Sequence, residues 1–162
     1  MSTILNTNGS RVEIPRLLKP DMGVTVIAAS WNPEITGALA EGARATLLQA
    51  GVRADRIISR SVPGTVELVY AASHSMRHDN TDAVIIIGCV IRGDTPHFDY
   101  VCQIAAQGAA ELNARGEKPL IFGVLTVDNL QQALDRSGGS LGNKGSEAAI
   151  AAIEMVNYSH TR

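Results

Sequence analysis

The chain has 162 residues, 45% of them hydrophobic, with a formal net charge of −2 and a pI near 6.1. That length fits one domain with a full core, and the charge leaves no basic field to hold nucleic acid. The longest apolar runs are strand-sized, against a membrane-spanning helix, and residues 1–10 show neither a signal-peptide apolar region nor an Arg-rich transit pattern, so a cytoplasmic protein is expected.

Residues 1–20 read as an arm preceding a single domain at 21–162. Within the arm Val12, Ile14, Leu17 and Leu18 have the pattern of an edge strand, which Pro15 and Pro20 limit. Residues 24–29 form the first buried strand. Asn32 is the expected N-cap and Pro33 the first residue of a helix running to about residue 50, with Gly51 to end it. Residues 56–62 are a second strand, turned by Pro63 and Gly64 into a helix over 66–77. Residues 83–87 are continuously apolar, so this third strand is expected at the centre of the sheet, covered on both faces.

A turn at 92–95 then leads into a helix over 96–114, with Thr95 as N-cap and Phe98, Val101, Ala105, Ala109 and Leu112 on one face. Residues 119–125 are the fourth strand. Asp128 and Gln131 are spaced as a capping box for a short helix that ends near 137–139. The last helix, about 146–158, carries Ala149, Ala152, Ile153 and Val156 on one stripe. Cys89 and Cys102 are too few for a disulfide framework or a zinc site and read as buried thiols.

Strands alternating with helices at this spacing predict an α/β fold: a three-layer α/β/α sandwich of flavodoxin-like type, with a four-stranded parallel sheet and room for an N-terminal edge strand. Ligands of such sheets bind outside the carboxyl ends of the strands. All four junctions on that rim carry unusual residues. Trp31, the only tryptophan, follows the first strand and suits stacking on a planar ligand. Gly64, Thr65, Val66 and Glu67 follow the second. After the third, Gly93, Asp94 and Thr95 offer backbone N–H groups at a helix start, an anion site with His97 beside it. The fourth junction holds 126–129, and Arg136 and Lys144 flank a glycine-rich loop further on.

Plainer readings stand beside these. Trp31 can be core, Pro63-Gly64 only a turn, and Glu67 a complement to the helix dipole. His97 can be a surface residue, and Arg136 and Lys144 solvated charges.

The segments Ser30-Trp31-Asn32-Pro33-Glu34-Ile35-Thr36, Val62-Pro63-Gly64-x-x-Glu67 and Gly88-x-Val90-Ile91-Arg92-Gly93-x-Thr95-x-His97-Phe98-Asp99 resemble the lumazine synthase family. So do 122–126, Gln132-Ala133-x-x-Arg136-x-Gly138 and Asn143-Lys144-Gly145-x-Glu147-Ala148-Ala149. The match runs in order from about Val24 to Val156. It implies a transferase of riboflavin biosynthesis that condenses 5-amino-6-(D-ribitylamino)uracil with 3,4-dihydroxy-2-butanone 4-phosphate, without a cofactor or metal.

In the roles this resemblance implies, Trp31 stacks on the pyrimidine. Gly64, Thr65, Val66 and Glu67 hold the ribityl chain, while Val90, Ile91, Phe122 and Lys144 complete the pyrimidine side. Gly93, Asp94, Thr95 and Arg136 bind the phosphate, and His97 shuttles protons. Phe122, Arg136 and Lys144 come from an adjacent chain of a pentamer.

Three positions, Val66, Asp94 and Pro96, depart from the family pattern. Val66 stands where an aromatic is common, which loosens one wall. Asp94 suits a phosphate site only with its carboxylate turned away and its N–H turned in. Pro96 is compatible with Thr95 as N-cap. The resemblance leaves pentamer, paired pentamers and icosahedral shell open; the short loop at 138–142 leans to the shell, and the arm with Pro15 keeps the pentamer. Riboflavin synthase is a partner it implies. Rival readings are a non-catalytic lumazine- or flavin-binding relative, against which His97, Arg136 and Lys144 all argue, a shell-forming assembly subunit, and, from fold alone, a nucleotide binder.

Overall fold

The computed structural model describes residues 13–161. Its elements alternate as expected: β1 (Val24–Ala29), α1 (Pro33–Gln49), β2 (Ile57–Val62), α2 (Glu67–His78), β3 (Ala83–Ile91), α3 (His97–Ala114), β4 (Leu120–Val127), α4 (Leu130–Arg136), β5 (Ser137–Gly139), β6 (Gly142–Asn143) and α5 (Lys144–His160). The four long strands form one parallel sheet in the order β2-β1-β3-β4. All their carboxyl ends therefore share one rim. The flavodoxin-like α/β class is thus the observed one.

β3 shows why the sheet has three layers. Val84, Ile85, Ile86 and Ile87 have no exposed surface, and alternate side chains enter opposite cores. Ile85 and Ile87 pack with Leu39, Ala43 and Leu47 of α1 and with Ala149, Ala152 and Ile153 of α5. Val84 and Ile86 pack with Leu68, Ala72 and Met76 of α2 and with Ala109 and Leu112 of α3. Each fully buried Ile or Leu contributes about 1.5–3 kcal/mol relative to exposure.

α1 and α5 lie unusually close. A Cβ placed on Gly145 would fall 1.8 Å from the Leu39 carbonyl oxygen, so only glycine fits. That approach pins the start of α5, where the Asn143 side chain accepts from the N–H groups of Gly145 and Ser146 and donates to the Ala38 carbonyl. Lys144, the first residue of the helix, is thereby held in place.

Several local expectations shift. β3 and β4 run on to Ile91 and Val127, because pairing continues through Val90↔Thr126 and Ile91↔Val127. β1 shares the central position with β3. Asn32 is left-handed, with φ 56, and its side chain makes no cap; it donates instead to the Cys89 carbonyl at 3.0 Å. Gly51, at φ +98, does close α1. Thr95 is not the N-cap of α3: Pro96 holds that place and no side-chain bond caps the helix. The cap of α4 moves one residue on, to Asn129, whose side chain accepts from the Gln132 N–H, while Gln132 Oε1 accepts from the Asp128 N–H. The expected glycine-rich loop is a small antiparallel hairpin of β5 and β6.

Residues 13–20 form no edge strand; Val12 lies outside the described residues. Asn157 of α5 supplies their partners instead, accepting from the Leu18 N–H at 2.9 Å and donating to the Arg16 carbonyl at 2.8 Å. Leu17 packs on the core below. No helix among the described residues is long and apolar enough to cross a membrane.

Candidate active site

The first three junctions of the rim are sewn to one another. Past β1, the Ser30 N–H donates to the Val62 carbonyl at 2.9 Å, and the Ser30 and Ser61 hydroxyls are 3.0 Å apart. The next turn is left-handed at Asn32, a conformation Asn tolerates better than most residues. Its side-chain tie to Cys89 fastens the turn to β3. Trp31, between these anchors, is left 72% exposed. Sequence reasoning assigned Asn32 to capping, so this anchoring role was missed; an Asn next to the rim tryptophan was the only signal.

Trp31 faces the second junction. A Cβ at Gly64 would lie 3.0 Å from Glu67 Oε2 and 3.4 Å from Trp31 Cδ1, so the indole and the carboxylate converge over a bare backbone. Glu67 opens α2 and is exposed, as is Val66. Thr65 is buried, and its hydroxyl lies against β3: a Cβ on Gly88 would meet Thr65 Oγ1 at 2.9 Å and Leu68 Cδ1 at 3.1 Å. Gly88 thus lets the 64–67 turn settle onto the central strand.

Val90 and Ile91 end β3 half-buried, and residues 92–97 are exposed. Among the described residues the N–H groups of Gly93, Asp94 and Thr95 meet no acceptor, and they lie just before the positive end of the 18-residue α3. His97 is the first residue of that helix. Such a run of donors at a helix start accepts an anion without rearrangement. The Asp94 carboxylate has no hydrogen bond or ion pair among the described residues.

Phe122, Lys144 and Arg136 make no hydrogen bond or ion pair with this cluster among the described residues. Phe122 pairs with Ile86 in mid-sheet, four residues before Thr126, which places it roughly 13 Å below the rim on the open edge of β4. It is exposed there, beside an open groove of 410 Å³ lined by Phe122, Thr126, Lys144, Glu147, Ala148 and Ala151. Lys144 Nζ is bonded to both Glu147 oxygens, at 2.9 and 3.0 Å, with both side chains largely buried. The i,i+3 spacing of Lys144 and Glu147 was the available signal for that pair. Arg136 ends α4 half-buried, its Nη1 donating to the Gln132 carbonyl at 3.0 Å.

The two thiols differ. Cys89 is buried on β3, and burial pushes its thiol up to about 11. Cys102 is half-buried rather than buried; desolvation, then the Asp99 charge, pushes its thiol up. Neither is poised as a nucleophile.

Sequence reasoning gave Arg92 a place in the 92–95 turn and the family motif but no role at the rim. Arg92 donates from Nε to Asp128 Oδ1 at 3.0 Å and from Nη1 to Asp99 Oδ1 at 3.3 Å, with Cζ 4.1 Å over the Phe98 ring. The Asp128 hydrogen bond, then the Asp99 charge, raises its already high pKa. Nothing in the spacing of Arg92, Asp99 and Asp128 along the chain announces this contact.

Residues 21–160 match the family model described as 6,7-dimethyl-8-ribityllumazine synthase. Three bacterial proteins named 6,7-dimethyl-8-ribityllumazine synthase are similar over most of their length. The one from Porphyromonas gingivalis is 53% identical over 136 residues, 84% of this chain and 84% of that protein. The one from Bacteroides fragilis is 50% identical over 133 residues, 82% of this chain and 93% of that protein. The one from Cytophaga hutchinsonii is 49% identical over 144 residues, 89% of each.

Proposed function

The chain belongs to the 6,7-dimethyl-8-ribityllumazine synthase family, and from that premise we propose how its residues divide the work. The reaction condenses 5-amino-6-(D-ribitylamino)uracil with 3,4-dihydroxy-2-butanone 4-phosphate to the lumazine, phosphate and water, a transferase step of riboflavin biosynthesis.

The observation that carries the site assignment is the run of three N–H groups at Gly93, Asp94 and Thr95, unbonded among the described residues, with His97 beside it. These donors hold the butanone phosphate. The pyrimidine stacks on Trp31, and its ribityl chain runs over Gly64, Thr65 and Val66 to Glu67. Val90 and Ile91 form the floor between the two substrates.

The pyrimidine's 5-amino group attacks the butanone carbonyl, and loss of water gives an imine. Removal of a proton beside the imine lets phosphate leave into the N–H groups that already hold it. Rearrangement creates a carbonyl that the ribitylamino nitrogen attacks, and a second loss of water closes the ring. Each step moves protons, and none is a redox step. A histidine serves that work well near neutral pH, and general acid–base catalysis of this kind supplies about 10²–10⁴-fold. Holding both substrates together supplies much of the rest.

Phe122, Lys144 and Arg136 act in the pocket of a neighbouring chain. Phe122 lies roughly 13 Å below its own rim and is exposed on β4, the edge strand among the described residues, which supports this division. Arg136 then completes the neighbour's phosphate site and stabilises the leaving anion. A shared pocket requires neighbouring copies of this chain; the family resemblance makes that assembly a pentamer, and the short 137–143 hairpin favours its closure into an icosahedral shell, with riboflavin synthase as a partner. The site of action is the cytoplasm.

Incubation with both substrates, following lumazine absorbance and phosphate release, tests the reaction. Stoichiometric appearance of both is expected; a protein that releases neither across the neutral pH range contradicts it.

A further inference from the structure

We propose that Arg92 is a positioning residue for the butanone phosphate: its guanidinium clamps the 93–95 loop and the first turn of α3 to the loop that follows β4. This rests on the reaction assigned above. The loop has little to hold it. Residues 92–97 are exposed, the N–H groups of 93–95 have no acceptor among the described residues, and a Cβ at Gly93 would touch nothing within 4 Å. Three exposed residues carrying an anion site need their geometry fixed from outside.

Arg92 reaches both flanks at once. Its backbone N–H donates to the Val127 carbonyl at 2.9 Å, extending the β3–β4 pairing to the root of the loop. Nε is held by Asp128 at 3.0 Å on the β4 side. Nη1 is held by Asp99 at 3.3 Å on α3, past the loop. The guanidinium also lies 4.1 Å over Phe98, the residue after His97. Stacking there sets how far the first turn of α3 is rotated, and hence where the imidazole projects. Exposed ion pairs add little to stability, so the arrangement acts on geometry. Two carboxylates already engage the cation, which separates its task from that of a direct phosphate ligand.

The test uses the full-length protein in its native assembly, with separate KM values for the two substrates and inhibition by inorganic phosphate. Arg92→Lys keeps the charge and loses the fork. It is expected to raise KM for the butanone phosphate about tenfold, and the inhibition constant for phosphate in parallel, leaving KM for the pyrimidine within about twofold. Asp128→Asn is expected to move the same two constants the same way, and R92K/D128N to do no more than R92K alone.

A direct phosphate contact predicts otherwise: Asp128→Asn then lowers both constants or leaves them alone. A merely structural role predicts a lower melting point with the KM ratio unmoved. Either result overturns the proposal. Should R92K fail to assemble, Asp128→Asn and Asp99→Asn decide it, since both side chains are more than 60% exposed and neither supports the core. Wild-type protein is assayed in parallel. No lumazine from wild type contradicts the reaction itself, whereas active wild type with unshifted variants contradicts only the clamp.

Discussion

The two ends of the sheet are built to opposite rules. At the amino ends of the strands, several charged side chains are paired within the chain. Lys19 pairs with Asp82 at 2.5 Å, and Asp82 also accepts from the Gly23 N–H at 2.8 Å. Asp79 takes Arg60 and the Thr25 hydroxyl, and Lys118 reaches the Asp79 carbonyl. Burial pushes the Asp82 carboxyl up, but Lys19 and the Gly23 N–H outweigh it and hold the group below its ordinary range. At the carboxyl ends, Trp31, Glu67, Asp94 and His97 have no hydrogen bond or ion pair among the described residues, and the 93–95 donors are bare. One end spends its polar groups on the fold, and the other keeps them for a ligand. The side chains that are bonded at the ligand end, among them Asn32, Arg92, Asn129 and the Ser30–Ser61 pair, tie loops in place rather than fill the site.

Substitutions at the two ends should therefore fail in different assays. The largest effect is expected from His97→Ala, which should lower kcat by about 10²–10⁴-fold while the melting point and pyrimidine binding stay near wild type. Severe loss of pyrimidine affinity would contradict the proton-shuttle role. Trp31→Ala should weaken pyrimidine binding by about 1–3 kcal/mol, the worth of a base stacked on an aromatic ring, with KM for the butanone phosphate unmoved. Fluorescence titration and steady-state kinetics read that split.

Two glycines, Gly88 within β3 and Gly93 on the rim, sharpen the contrast. Gly88→Ala drives a methyl to 2.9 Å from Thr65 Oγ1 and 3.1 Å from Leu68 Cδ1, and thermal unfolding should show about 1–3 kcal/mol of destabilisation. Gly93→Ala meets open space and should stay within about 0.5 kcal/mol.

The smallest effect belongs to the amino end. Arg60, chiefly, holds the Asp79 carboxyl below its ordinary range. A carboxylate with a lowered folded-state pKa stabilises the fold above its unfolded value, near 3.9, and loses that contribution as pH falls through the folded one. Asp79→Asn should thus have a lower urea midpoint than wild type at pH 7. That gap should close as pH falls below about 4, with lumazine synthesis unaffected at neutral pH. A gap of constant size down to pH 2 would contradict the ion pair's part in it.

The order of elements was legible because β3 announces itself: a run with no polar residue from Ala83 to Ile87 admits only a strand covered on both faces. The rim was legible for the same reason, since parallel strands put all four junctions on one side. Caps were less so. Asn32 holds the N-cap position as expected but spends its side chain on the Cys89 carbonyl, whereas Pro96 takes the place of Thr95 and Asn129 supersedes Asp128. The arm misled because alternating apolar residues suit an edge strand, and nothing in residues 13–20 shows that Asn157, far along the chain, will satisfy their backbone. Pairs such as Arg92 with Asp128 were invisible for that reason too: their distance is set by the sheet, not by spacing.

The division of the pocket between two chains is the central claim, and mixed assemblies test it most directly. His97→Ala and Arg136→Ala protein, each inactive alone, are unfolded together in equal amounts, reassembled and assayed for lumazine formation. If each pocket takes His97 from one chain and Arg136 from its neighbour, random mixing leaves about a quarter of the pockets intact, and activity returns to about that fraction of wild type. If both residues serve the same chain's pocket, every pocket carries a defect, and the mixture stays as inactive as its parts.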